Sequence, residues 1–269
     1  MSLSFYTFGC QQISDLVYIS FKGEIFMDIF WAELIGTMLL VLLGNGAVAT
    51  VLLGKSKGQH GGWIVITAGW GFAVAIAVYV TGWVSGGHLN PAVTLGFCLA
   101  KKTAWSLFPM YLSGQLLGGF IGALLVFFAY YPHWQKTPDP HTKLLCFATH
   151  PAIRSYFWNF ICEVIGTAVL IIGVLGIFNA HNGIMAGMGP YAVGILIFSI
   201  GLSLGGPTGY AINPARDFAP RIAYSLLPIR GKGTSDWAYA WVPICGPLVG
   251  SAIGAWIYTS FISGFLPLG

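Results

Sequence analysis

The amino-acid sequence predicts an all-α membrane protein: six transmembrane helices plus two re-entrant half-helices, arranged as an inverted internal repeat. Three observations lead there. Only 7% of the 269 residues are charged and 56% are hydrophobic, where a soluble domain carries roughly a quarter charged residues. Lipid must therefore be the main solvent. Six apolar runs suit the roughly 20 residues that cross a hydrocarbon core as a helix. Short motifs also recur in the same order in the two halves.

Residues 1–26 are less apolar than the rest of the chain. They lack both a long apolar core and a small-residue cleavage site, so a signal peptide fits poorly. This stretch is expected to be a peripheral N-terminal leader ahead of a start near Met27. Residues 27–269 then form one domain. Repeat one covers about 28–130, a connection 131–155, and repeat two about 156–263. The spans fall at roughly 28–53, 62–83, 106–130, 156–178, 189–204 and 237–262.

Two shorter apolar runs, near 90–100 and 213–227, each begin at Asn-Pro-Ala: Asn90, Pro91 and Ala92, then Asn213, Pro214 and Ala215. Asn is among the best N-caps, and proline suits a first helical turn, where its missing N–H is not needed. Both boxes read as helix starts preceded by glycine-rich loops. Such a short helix at membrane depth is tolerated only where it lines a cavity.

The repeat is visible in matched motifs. "AELIGT" (32–37) opens the first span and "CEVIGT" (162–167) the fourth. "SGQLLGGFIGA" (113–123) lies in the third and "CGPLVGSAIGA" (245–255) in the sixth. The Asn-Pro-Ala boxes fall between these pairs. Three spans per half force the second half to enter from the opposite side, so the half-helices should meet near the midplane. Interrupted segments at corresponding positions are a pointer to a transport site. Glycines at 114, 118 and 122, and at 246, 250 and 254, permit close helix approach.

Other classes are excluded by what the chain lacks. The net charge of +4 forms no basic run, so nucleic acid is not an expected partner. The five cysteines lie far apart, without a C-x-x-C pair, and suit packing better than a disulfide framework. The chain shows neither a Ser-His-Asp order nor metal-spaced His and Cys residues nor a phosphate loop. No enzyme activity, cofactor or metal is expected. The 131–155 connection is long for a structureless loop and is expected to fold over the outer mouth.

The two Asn-Pro-Ala boxes, the glutamates Glu33 and Glu163 in matching spans, and "NPARD" in the second box resemble the major intrinsic proteins. The glycerol facilitators (aquaglyceroporins) are the most similar subgroup. The resemblance covers about residues 28–262. It implies an aquaporin-like right-handed bundle with a pore through each monomer of a homotetramer in the plasma membrane, termini cytoplasmic. It also implies passive conduction of glycerol, other small uncharged solutes and water, with ions and protons excluded.

By the same resemblance, Asn90 and Asn213 would donate to the permeant at mid-channel. The carbonyls of Gly86, Gly87, His88, Gly209, Tyr210 and Ala211 would form an acceptor ladder, and Glu33 and Glu163 would brace the loops. A selectivity filter falls at Trp70, Gly201, Tyr210 and Arg216, with Gly201 leaving room that a histidine would fill. Asp217 marks the glycerol-conducting subgroup, whose bacterial members usually have Phe where this chain has Tyr210. Charge placement runs against the positive-inside tendency: only Lys22, Lys101 and Lys102 would be cytoplasmic. The alternative function is a coupled secondary transporter, although Asp217 and the two bracing glutamates are the only intramembrane carboxylates to couple through.

Overall fold

A computed structural model describes residues 5–184 and 187–264. The first four residues of the 1–26 leader, and the side chains of Cys10 and Lys22, lie outside the described residues. Among the described residues ten α-helices succeed one another: α1 Phe5–Leu52, α2 Trp63–Ser85, α3 Pro91–Leu99, α4 Phe108–Ala129, α5 Tyr131–Trp134, α6 Pro140–Leu145, α7 Tyr156–Ile177, α8 Met188–Leu204, α9 Pro214–Leu226 and α10 Val242–Ile257. Within α1, the 28 residues Ile25–Leu52 are apolar enough to cross a membrane, and its backbone stays helical back through the leader to Phe5. α2, α4, α7 and the stretch Val242–Ile262, which is α10 and the turn that prolongs it, supply four more such spans. α8 is shorter at 17 residues, about 26 Å at 1.5 Å per residue.

The sequence boundaries hold to a few residues, and local chemistry explains the shifts. The sixth span starts at Val242 rather than 237, because Pro243 occupies the first turn. A five-residue π-helix, Tyr258–Ile262, then prolongs it. The third span starts at Phe108 after a 3-10 turn at Trp105–Leu107. The 131–155 connection holds α5 and α6, and buries Trp134, Leu144, Cys146 and Phe147. Asn45 Nδ2 donates to Phe147 O at 3.3 Å, fastening the connection to α1.

Pairing of the helices mirrors the repeat. α1 packs along α4 as α7 packs along α10, while α2 and α8 join the two halves. Each half-helix lies against the last span of the other half: α3 on α10 and α9 on α4. The glycine ladders set the first pairing. A Cβ at Gly122 would lie 2.6 Å from Met38 O, and one at Gly254 would lie 2.7 Å from Ala168 O. One turn earlier, Gly118 abuts Leu34 O and Gly250 abuts Val164 O. Backbones this close exclude any side chain, so the small-residue register in the sequence is a packing requirement.

Candidate permeation path

The half-helices start as their sequences demand. Asn90 accepts from Ala92 N at 2.8 Å, with Pro91 in the first turn of α3. Asn213 accepts from Ala215 N at 3.0 Å and Arg216 N at 3.2 Å, with Pro214 opening α9. Each caps with its Oδ1, which leaves the two N–H groups of its carboxamide. One of these reaches across to the other repeat: Asn90 Nδ2 donates to Ile212 O at 2.8 Å, and Asn213 Nδ2 to Leu89 O at 2.8 Å. The positive ends of the two helices therefore abut inside the bundle.

The loops ahead of the two boxes share one backbone conformation. Positive φ occurs one, three and four residues before each asparagine: Leu89 (53°), Gly87 (63°) and Gly86 (85°) in one loop, Ile212 (42°), Tyr210 (39°) and Gly209 (80°) in the other. Non-glycine residues in this region cost about 1–3 kcal/mol each and persist only when their surroundings hold them. Two buried glutamates do so. Glu33 accepts from His88 N (2.9 Å) and Leu89 N (2.7 Å), and Glu163 from Ala211 N (3.0 Å) and Ile212 N (2.8 Å). Ser85 and Thr208, each five residues before its asparagine, donate to the same carboxylates at 2.6 and 2.7 Å. Gln115 adds a fourth donor to Glu33 at 2.7 Å. With N–H groups drawn toward the glutamates, the carbonyls of Gly86, Gly87, His88, Gly209, Tyr210 and Ala211 receive no hydrogen bond among the described residues.

A cavity of about 510 Å³ runs past this junction. Asn90, Asn213, Gly86, Gly87, His88 and Ala211 line it, together with apolar side chains such as Val78, Leu170 and Ile197. Trp70, Tyr210 and Arg216 line it as well. Gly201 and Gly209 do not border the cavity. His88 is buried, stacks on Tyr111 with centroids 4.3 Å apart, and meets Thr94 Oγ1 through Nδ1 at 3.2 Å.

The residues around Arg216 form a tight group. Its guanidinium carbon lies 4.0 Å from the centroid of the Trp70 ring. Trp70 fits because Gly44, on α1, leaves its ring the space of a side chain. Arg216 is 6% exposed, and its Nη1 has no partner among the described residues. The space beside Gly201 is taken by Tyr210: a Cβ at Gly201 would lie 2.8 Å from Tyr210 Cζ and 2.9 Å from its hydroxyl, with Thr67 Cγ2 also at 2.8 Å. Gly205 makes similar room for Tyr210 Cδ1 at 2.5 Å. The tyrosine hydroxyl is thus tucked against α8, without a hydrogen-bond partner among the described residues.

Several residues here escaped sequence reasoning. Trp63 donates its indole N–H to Gly201 O at 2.9 Å and packs edge-on to Tyr210 at 5.9 Å. Nothing in its position at a span end set it apart. Ser85 and Thr208 could have been found, since they share an offset from the boxes. Arg221 could also have been found, one turn after Asp217. The pair is wholly buried with Nη2 to Oδ1 at 2.8 Å, and Thr149 N and Oγ1 donate to the other carboxylate oxygen at 2.7 and 2.6 Å. Asp217 therefore partners Arg221 and Thr149 and makes no ion pair with its neighbour Arg216. Among the described residues no group of His, Cys, Asp and Glu is arranged to hold a metal.

Known proteins resemble this chain in sequence and in fold. The chain is 56% identical over 232 residues to a Thermotoga maritima protein named "Probable glycerol uptake facilitator protein", covering 86% of this chain and 98% of that one. It is 58% identical over 226 residues to "Glycerol uptake facilitator protein 3" of Lactiplantibacillus plantarum, covering 84% and 93%. The crystal structure of the aquaglyceroporin from Plasmodium falciparum superposes with a TM-score of 0.80 at 32% identity, over 88% of this chain and 97% of that one. The family model for major intrinsic proteins matches residues 21–258. With its apolar spans and paired half-helices, the chain is an integral multi-pass membrane protein and belongs to the major intrinsic protein family.

Proposed function

We propose that the protein is a passive channel for glycerol, other small uncharged solutes and water that excludes ions and protons and has no enzymatic activity. The observation behind this is the lining of the cavity. Unbonded carbonyls and free asparagine N–H groups face apolar walls around two converging helix N-termini. A polyol needs acceptors and donors on one side and a carbon-compatible surface on the other, and this path offers both. Each helix end carries about half a positive charge, so a cation at the junction meets repulsion from both.

In this reading Asn90 and Asn213 contact the permeant, and Trp70, Tyr210 and Arg216 form the filter. Gly201 serves the filter by giving Tyr210 its place. The chain works as a homotetramer in the plasma membrane with cytoplasmic termini, and residues 1–26 are peripheral to the conducting unit. The test is stopped-flow light scattering on proteoliposomes with water, glycerol, dihydroxyacetone and urea, repeated under imposed proton and sodium gradients. Fluxes that ignore the gradients are expected; strict gradient dependence would make the protein a coupled transporter instead.

A further inference from the structure

Arg221 is wholly buried on α9, does not border the cavity, and has all three nitrogens engaged. Nε and Nη2 both reach Asp217 Oδ1, at 2.9 and 2.8 Å. Nη1 donates to Ser235 O (2.7 Å) and Asp236 O (3.1 Å), and Nη2 also to Thr149 O (2.9 Å). Thr149 fills the remaining carboxylate oxygen of Asp217. Both carboxylate oxygens of Asp217 are thus engaged, by three hydrogen bonds and the ion pair. Its neighbour Arg216 keeps an Nη1 without a partner among the described residues and borders the cavity.

We propose that Arg221 sets the electrostatic strength of the filter: by neutralising Asp217 it leaves the positive charge of Arg216 unshared and felt by the permeation path. This rests on the channel reading above. Charges a few ångström apart interact strongly where water is scarce. A bare carboxylate beside Arg216 would cancel much of its field, whereas a bare guanidinium at 221 would add to it. Neighbours on a helix do not face each other, so the effect works through the field and needs no new contact with Arg216. The knot also packs behind the filter loop, since Thr149 Cγ2 lies 3.3 Å from where a Cβ at Gly209 would sit.

The two halves of the pair therefore predict opposite outcomes, which a purely structural role does not. Release of K⁺ and Cl⁻ is measured from proteoliposomes holding Arg221→Gln, Asp217→Asn or both, with water permeability confirming that each is inserted and folded. R221Q should raise the K⁺ to Cl⁻ ratio by about threefold or more. D217N should lower it by a similar factor, and the double variant should return it to the native value. Equal leakage of both ions in both single variants, or no change in D217N, overturns the proposal. If R221Q does not insert, D217N and the double variant decide alone, because Asn keeps the volume of Asp217 and one acceptor oxygen for either Arg221 or Thr149. Glycerol flux through the unsubstituted protein tests the channel reading separately.

Discussion

Arg216 holds its guanidinium carbon 4.0 Å from the ring centroid of Trp70, so the cation bordering the cavity rests on an aromatic face. A contact of this kind contributes about 0.5–2 kcal/mol, more when desolvated. It fixes the guanidinium where Nη1 points free of protein partners among the described residues. Trp70→Leu should remove that platform and widen the path. Water flux is expected to rise while the preference for glycerol over larger polyols such as xylitol falls several-fold, measured as relative rates in proteoliposomes. Unaltered solute ranking in this variant would take Trp70 out of the filter.

The glutamates make a second prediction, this time about stability. Glu163 accepts three hydrogen bonds, two of them from Ala211 and Ile212 in the strained loop. Leaving a buried donor without its acceptor costs about 1–3 kcal/mol. Glu163→Ala should therefore lower the melting temperature in detergent clearly and abolish glycerol flux, because the loop relaxes from its left-handed backbone. Glu33→Ala should do the same through His88 and Leu89. As a control, the exposed Val249→Ala on α10 should leave the melting temperature nearly unchanged.

Much of this was legible in the sequence, for a physical reason. An apolar run of fixed length, an Asn-Pro helix start and a small residue every fourth position are local demands. Each shows in the residue types that meet it, and repetition in two halves doubles the signal. The Glu33 and Glu163 matches could be read in this way. What could not be read is where side chains from distant segments converge. Thr149 reaches Asp217 across 68 positions, and Trp63 reaches Gly201 across 138. Neither carries a residue type unusual for its setting. The purpose of Gly201 was also out of reach, since the vacancy it leaves is filled by Tyr210, nine residues later and outside α8.

That vacancy supports a third prediction. At Gly201 even a single methyl group would stand 2.8 Å from both Tyr210 Cζ and Thr67 Cγ2. Tyr210 borders the cavity, so a ring pushed off Gly201 has that space to move into. Gly201→Ala is expected to cut glycerol flux strongly while reducing water flux less, because water passes a narrower aperture. Gly201→His should be more severe. The combination Gly201→Ala with Tyr210→Val should recover glycerol flux; no recovery would mean that the methyl group acts on α8 packing and leaves the aperture alone.

The last prediction concerns the 131–155 connection and has a defined sign. His150 Nε2 lies 2.8 Å from Arg154 Nη2. Since a guanidinium can only donate, this nitrogen must accept, and the ring is held neutral. Its Nδ1 is buried without a partner among the described residues. Burial pushes the imidazole below its ordinary value of 6.5, and the nearby His141 and Arg154 push the same way against the opposing pull of Asp236. Arg154 in turn pairs with Asp236, and Arg221 holds the Asp236 carbonyl, so the cluster ties the connection to the segment beyond α9. Below the ordinary value of 6.5 the unfolded chain takes up a proton at this site that the folded protein resists. Stability contributed here is thus present at neutral pH and declines as the pH falls from about 6.5 toward the folded value. Thermal unfolding in detergent from neutral to mildly acidic pH should show a falling midpoint whose slope is reduced in His150→Gln. An amide keeps an acceptor for Arg154 without titrating, so an identical slope in that variant would assign the acid sensitivity to other groups.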